Sequence, residues 1–486
     1  MSKNLELVKN LKPYDVFKYF AEISDVPRGS GNTGKIVDYL VSFAIKNNLK
    51  YTRDNYNNVI ITKETNSKLK STIVLQAHID MVCVKTSDCN KDMAIEGIDF
   101  VLDGEWLKAD RTTLGADDGI GMAIILSILT NEIDYERDIV GVFTDDEEIG
   151  LIGAHKIDLS NFDIKYLINI DNEEFDVIDV GCAGGTQLAF EKKCSLTDEL
   201  SGKLLEVEVG GLIGGHSGME ITKNRGNANK IIVDILYKLH KTIPFNLINI
   251  QGGTFNNAIP NKAKARILLE KDIDDLEITK IINQIIEEKL HDLKKNEPDI
   301  SITYHLSGTN EKFLILNSKD TNDIINAIYE LPDGLISTFE NSKDIAETSL
   351  NLGILRTNSD NIYIEYLVRS NVNIKREKLN EEVLNIATKY NFVKVLDDSY
   401  PAWEYRKTEL ENFAFNQFKK LFDKEPTIEI THGGLECGIL LEKLSNVEAI
   451  AIGPTILGAH TTEERLKIKT VKHIQDLISE ILLTIS

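Results

Sequence analysis

Over roughly the first 180 residues, apolar positions recur at helical spacing in some stretches and form short continuous runs in others. The spacing predicts helices over 14–21 and 34–47 and strands over 58–63, 72–77, 139–143 and 166–170, while 115–129 reads as a loop entering a helix. That alternation suggests an α/β sheet with helices on its faces. From about 186 to 398 the pattern changes. LLEVEVGGL, INIQGGTFNN, KARILLE, ISITYHLSG and NIYIEYLVRSNVNI alternate as β segments, and 227–239 and 278–293 read as helices, which fits a separate α+β unit. After Tyr400-Pro401-Ala402-Trp403 the chain returns to helix (410–422), strand (427–431), helix (437–443), strand (447–452) and a final helix. This tail is expected to complete the first sheet, so the domain reading is 1–184 with 400–486, interrupted by 185–399.

Only 9 prolines punctuate 486 residues, and no Pro-, Ser- or Gly-rich linker or fixed-period repeat marks a boundary. A charge sum of 55 − 77 = −22 opposes phosphate backbones and anionic lipid, so neither nucleic acid nor a membrane surface is an expected partner. No run approaches the roughly 18–20 apolar residues of a bilayer span. The opening MSKNLELVKN lacks a signal h-region. Cys83, Cys89, Cys182, Cys194 and Cys437 show no CxxC spacing, which leaves out a disulfide framework and a thiolate zinc finger and makes the cytoplasm the default compartment.

Chemistry concentrates in five acidic or histidine clusters, most of them at the ends of expected strands, where open α/β sheets place their sites. The strand 71–77 runs into His78-Ile79-Asp80, whose alternation puts imidazole and carboxylate on the same side. Leu114-Gly115-Ala116-Asp117-Asp118-Gly119-Ile120-Gly121 sets paired carboxylates among glycines at a helix entrance. A helix cap explains one aspartate there and leaves the glycines unexplained. The strand 139–143 ends in Asp145-Asp146-Glu147-Glu148, the strand 166–170 in Asp171-Asn172-Glu173-Glu174, and Gly458-Ala459-His460-Thr461-Thr462-Glu463-Glu464 lies near the C-terminus. Each could be a solvated loop. Together, His and carboxylate donors without cysteine suit zinc, manganese or cobalt. Two ions could take His78 and Asp171 on one side and Glu148 and His460 on the other, with Asp117 bridging and Glu147 free as a base.

These residues resemble the metallopeptidase family of aminoacylase, carboxypeptidase G2 and carnosinase, and within it the aminoacylhistidine (Xaa-His) dipeptidase branch. QAHIDMVC, TTLGADDGIGMA, TDDEEIGLIGA, GGLIGGHSGMEI, FNNAIPNKA, TSLNLG, HGGLECGI and GPTILGAHTTEE carry the resemblance, which runs from about residue 13 to the C-terminus. It implies an α/β catalytic domain with a central mixed sheet flanked by helices, interrupted by an inserted α+β lid and dimerisation domain. It further implies two divalent metal ions, first of all zinc, with manganese or cobalt as alternatives. His78, Asp117, Glu148, Asp171 and His460 would be the metal ligands, Glu147 the acid/base acting on a metal-bridged water, and Asp80 the orienting partner of His78. His216 would steady the oxyanion with Asn257 beside it, and Arg369 and Gly434 would bind substrate. Asp118 would be geometric, preceded by a cis peptide bond. A homodimer cleaving dipeptides follows. An aminotripeptidase or N-acyl amino acid deacylase would use the same scaffold and the same site. A metal-binding protein without catalysis would need the ligands and not Glu147.

Overall fold

The computed structural model describes residues 2–65, 69, 71–194, 200–308, 311–340 and 342–485. Spatial neighbourhood divides the chain into one unit of Met1–Cys182, Tyr405–Ile430 and Leu435–Ser486, and another of Ala183–Glu404 with Thr431–Gly434. Sequence pattern had set the joins after 184 and 399. It had nothing to mark Thr431–Gly434, whose place depends on long-range bonds such as that from Asn371 Nδ2 to the Thr431 carbonyl (2.8 Å).

The first unit is built on an eight-stranded mixed sheet. Its strand order is Lys50–Arg53, Val59–Lys63, Ile139–Thr144, Thr72–His78, Ile164–Asn169, Glu448–Ala451, Val177–Cys182 and Thr427–Thr431. The central strands Ile139–Thr144, Thr72–His78, Ile164–Asn169 and Glu448–Ala451 run parallel, and the outer pairs described are antiparallel. Thr72–His78 and Ile139–Thr144 are buried at every residue, which is why they read as continuous apolar runs rather than alternating ones. The helix Ala116–Thr130 is likewise buried nearly all round. Its Ile124, Ile125 and Leu129 join Phe17 and Phe20 of the helix Tyr14–Ser24 and Ile478 of the helix Ile468–Thr484 in one apolar core. A small sheet orders Ile456–Leu457, Arg465–Lys467, Trp106–Ala109 and Phe100–Asp103, so the C-terminal segment is stitched to residues 100–109.

The second unit is a nine-stranded antiparallel sheet with its own core, including Leu205, Ile232, Leu236, Ile267, Ile325 and Val368. The helices Ala228–His240 and Asp275–Leu293 were legible in the sequence; Ser318–Glu330 and Asn373–Lys389 were not. The last two are polar around most of their circumference and bury only narrow stripes, Ile324, Ile325 and Ile328 in one and Leu379, Val383 and Ala387 in the other. The β segment read through Ile374 ends as the strand Asn361–Ser370. There Ser370 Oγ accepts the Val372 N–H (3.1 Å), and the helix starts at Asn373. A separate two-stranded flap pairs Gly215–His216 with Ala258–Ile259. No helix among the described residues is long and apolar enough to cross a membrane.

Candidate active site

Parallel pairing brings the first candidate ligands together. His78 lies opposite Thr144 and Gln76 opposite Asn169, so the C-terminal ends of three neighbouring strands deliver His78, the Asp145–Glu148 loop and Asp171 to one edge. Buried His78 turns Nε2 to Asp117 Oδ1 at 2.9 Å and lies 3.6 Å from Asp171 Oδ1. On the other side of Asp117, His460 Nε2 lies 3.1 Å from Oδ2 and 2.9 Å from Glu148 Oε2. One carboxylate therefore offers one oxygen to each histidine.

The glycines around Asp117 have a steric cause. Gly115 takes φ +67°, and a Cβ there would lie 2.7 Å from Arg28 Nη2; at Gly119 the separation would be 2.4 Å. At Gly121 a Cβ would meet Asp118 Oδ1 at 2.3 Å and the Ile170 carbonyl at 2.5 Å. Arg28, fully buried, fills this space. Its Nη1 donates to the carbonyls of Ile79 (3.0 Å) and Asp80 (2.7 Å), and its Nη2 to that of Gly115. From the opposite side the buried carboxylate of Glu464 accepts the N–H groups of Leu114 (2.6 Å), Gly115 (2.9 Å) and Ala116 (2.7 Å), with that of Asp117 at 3.4 Å. The Asp117–Asp118 peptide is cis.

Each of the four consecutive acids is held by its own hydrogen bonds, through its carboxylate or its backbone N–H. Asp145 accepts from Thr33 Oγ1 (2.7 Å) and Asp146 from the Gly31 N–H (2.6 Å). The N–H groups of Glu147 and Glu148 both donate to Asp80, at 3.0 and 3.3 Å, and Ser30 Oγ completes its shell at 2.7 Å. Asp80 Oδ1 stands 3.3 Å from His78 Nδ1 but outside hydrogen-bonding angles, so its well-formed bonds are to the glutamate loop.

Electrostatics follow from this crowding. Burial, reinforced by Asp117 and Glu148, pushes the Asp171 carboxyl up to about 6 against the pull of His78. Burial, with Asp171, Glu148 and Glu436, pushes Glu147 well above its ordinary value. Burial of Asp117 is outweighed by His460 and His78, which hold it far below the carboxylate range. Bonds to Asp117 and Glu148 raise His460 to about 11. Among the described residues no Lys or Arg pairs with Asp117, Glu148 or Asp171. The surrounding carboxylates raise both imidazoles against their burial; a divalent cation held by the same donors would supply that positive charge instead. Donor atoms of His78, Asp117 and Glu148 lie within 4.8 Å of one another, and Glu148 Oε1 is buried without a partner. The oxygen and imidazole set fits a hard or borderline cation.

The remaining sequence-derived residues lie in the second unit, near one another. His216 pairs with Ala258 on the flap, and the Ser217 N–H donates to the Asn257 carbonyl at 2.8 Å. Arg369 is buried, with Nη1 on the Tyr400 hydroxyl (3.1 Å), Nε unpartnered, and no carboxylate paired with it among the described residues. A Cβ at Gly434 would lie 2.7 Å from that hydroxyl, so glycine allows the close approach. Nearby His432 is bonded through Nδ1 to Asn371 Oδ1 and through Nε2 to Ser349 Oγ, each at 2.8 Å. Burial and the charge of Arg369 lower it to about 3, so it stays neutral.

Known proteins match this arrangement. The family description "Peptidase dimerisation domain" matches residues 207–297, and "Peptidase family M28" matches 58–187. Cytosol non-specific dipeptidase of Escherichia coli (strain K12) is 31% identical over 479 residues, covering 98% of each chain. The chain belongs to the metallopeptidase family of aminoacylase, carboxypeptidase G2 and carnosinase. It is a hydrolase of peptide bonds. The aminoacylhistidine dipeptidase of Vibrio alginolyticus superposes with a TM-score of 0.85 at 30% identity, over 98% of this chain and 97% of that one. A Staphylococcus aureus tripeptidase shares the fold, with a TM-score of 0.57 at 15% identity over 97% and 98%.

Three residues of this metallopeptidase receive no role in the sequence reading. Arg28 and Glu464, the latter inside the Gly458–Glu464 cluster, are two. The third is fully buried Glu436, which accepts from Gln76 Nε2 (2.5 Å) and Thr144 Oγ1 (2.7 Å), with Asn169 Nδ2 on Gln76 Oε1 (2.7 Å). Burial, the largest cause, pushes Glu436 up to about 7. The available signal was a glutamine and an asparagine inside otherwise apolar strands, which need buried partners.

Proposed function

We propose that this metallopeptidase is a cytoplasmic homodimeric dipeptidase that holds two divalent cations, zinc before manganese or cobalt, and accepts Xaa-His dipeptides among its substrates. The observation that carries the reading is the Asp117 carboxylate, set between His78 with Asp171 and His460 with Glu148. The names of the two full-length relatives favour dipeptides, the one from E. coli favours the cytosol, and the dimerisation match favours a homodimer.

His78, Asp171 and Asp117 Oδ1 would hold one cation, and His460, Glu148 and Asp117 Oδ2 the other. Such ions acidify an attacking water and polarise the scissile carbonyl. Glu147, raised by burial, takes the proton from the water and returns it to the leaving amine. Asp80 holds the Glu147 and Glu148 backbones, so that the base and the ligand point to different tasks. The second unit, of this chain or of a partner, delivers His216 as donor to the oxyanion, with Asn257 beside it. Arg369, buried without a carboxylate, reads the α-carboxylate of the substrate, and Gly434 contacts the substrate through its backbone.

A panel of a dipeptide, a tripeptide and an N-acetyl amino acid tests the substrate class, and a cycle tests Arg369. Dipeptides should be turned over fastest. Amidating the dipeptide C-terminus should lower kcat/KM by about 10²-fold or more, and Arg369→Ala should impose a similar loss on the free acid and little further loss on the amide. Additive losses would remove Arg369 from this role; preference for the tripeptide or the N-acetyl substrate would move the enzyme to those activities. Equal turnover of Xaa-His and Xaa-Leu would remove only the histidine preference.

A further inference from the structure

The two proposed cation positions are built differently. His78 ends the strand Thr72–His78, and Asp171 follows closely on the adjacent parallel strand Ile164–Asn169, whose continuation is tied back by the Ile170 N–H to the Gln76 carbonyl (2.9 Å). That position is fixed by the sheet. His460, by contrast, is half exposed, has φ +64° and lies on a turn outside the strands. It comes from a segment 343 residues from Asp117, yet its ring must meet Asp117 Oδ2 and Glu148 Oε2.

Glu464 makes that connection. Residues Gly458 to Glu464 form successive turns: the Thr461 N–H and Oγ1 both donate to the Gly458 carbonyl (3.2 and 2.7 Å), and the Glu464 N–H donates to the Thr461 carbonyl (3.2 Å). His460 and Glu464 are thus two points on one hydrogen-bonded turn segment. Beyond it, Arg465–Lys467 pairs with Trp106–Ala109. At one end of the segment the Glu464 carboxylate grips the backbone N–H groups of Leu114, Gly115 and Ala116, the loop that carries Asp117. Arg28 holds the same loop from its carbonyl side and links it to Ile79 and Asp80, beside His78. Loss of Glu464 therefore frees the loop from His460 while Arg28 still ties it to His78.

We propose that Glu464 is a positioning residue for the cation shared by His460, Glu148 and Asp117 Oδ2, and not for the cation shared by His78 and Asp171. This rests on the two-cation reading above. A carboxylate that merely capped the helix Ala116–Thr130 would stabilise the fold and leave the two positions equally affected.

Binding of zinc to metal-free protein, followed by calorimetry and by metal analysis after dialysis, separates these cases. Wild type should bind two equivalents. In Glu464→Gln one equivalent should keep its affinity to within about threefold, while the other weakens by roughly 10- to 100-fold, the usual effect of losing an outer-shell partner. His460→Ala should weaken that same equivalent and His78→Ala the other, with cobalt absorption telling the two apart. Glu464→Asp keeps the charge with a shorter reach and should recover part of the loss. Unchanged affinities in Glu464→Gln, equal weakening of both equivalents, or failure of both Glu464 variants to fold without metal would overturn the assignment. Fewer than two equivalents in wild type would instead overturn the two-cation reading.

Discussion

Neighbouring glutamates in one loop are chemically alike, and the proposed split of Glu147 as base and Glu148 as ligand is supported by the backbone that carries them. The N–H groups of Glu147 and Glu148 share the Asp80 carboxylate, which fixes the peptide planes between them. From there Glu148 reaches His460, and Glu147 is left buried among carboxylates, and burial together with them raises it. Glu147→Gln keeps size and removes proton transfer. Its kcat should fall by at least about 10²- to 10⁴-fold with both cations retained, as measured by steady-state kinetics beside metal analysis. Near-normal kcat, or loss of metal, would mean the two glutamates are assigned the wrong way round. Residue identity and spacing were enough to nominate His78, Asp117, Glu148, Asp171 and His460 from sequence, because each sits at a strand end or in a glycine-rich turn. Arg28 was not legible, and Glu464 was legible only as a member of its cluster and not in its role, since both bind backbone, which leaves no side-chain pattern to read.

Elements carry the next layer. Glu436 connects Gln76 of one strand with Thr144 at the end of another, and Asn169 of a third strand joins through Gln76. The Glu436 carboxyl titrates near 7 in the fold and near 4.3 in an unfolded chain, so the folded state binds the extra proton between those values. Stability from this group is complete below about pH 4 and is lost as pH rises through about 7. Burial raises Asp145 to about 6 and Asp179 to about 7, which adds to the same trend. Metal-free protein should therefore melt lower at pH 8 than at pH 5, and Glu436→Gln should flatten that fall; parallel curves for wild type and variant in a thermal scan would contradict it. Strands and helices with strong apolar periods were legible, whereas Ser318–Glu330 and Asn373–Lys389 were hidden by their narrow buried stripes.

At the scale of the whole molecule, the chain visits the first unit, leaves it at Cys182 and returns at Tyr405, so ligands far apart in sequence meet on one sheet edge. The return was readable from the helix–strand alternation after Tyr400. The membership of Thr431–Gly434 in the second unit was not, because it depends on bonds such as His432 to Ser349 and Asn371. The crowding of two imidazoles and four carboxyl groups makes sense once cations supply the missing positive charge. The most direct measurement is turnover of a free dipeptide by the same preparation as purified, after exhaustive chelation, and after zinc, manganese or cobalt is added back. Activity should vanish with the metal and return with it; undiminished turnover by the metal-free protein would contradict the account.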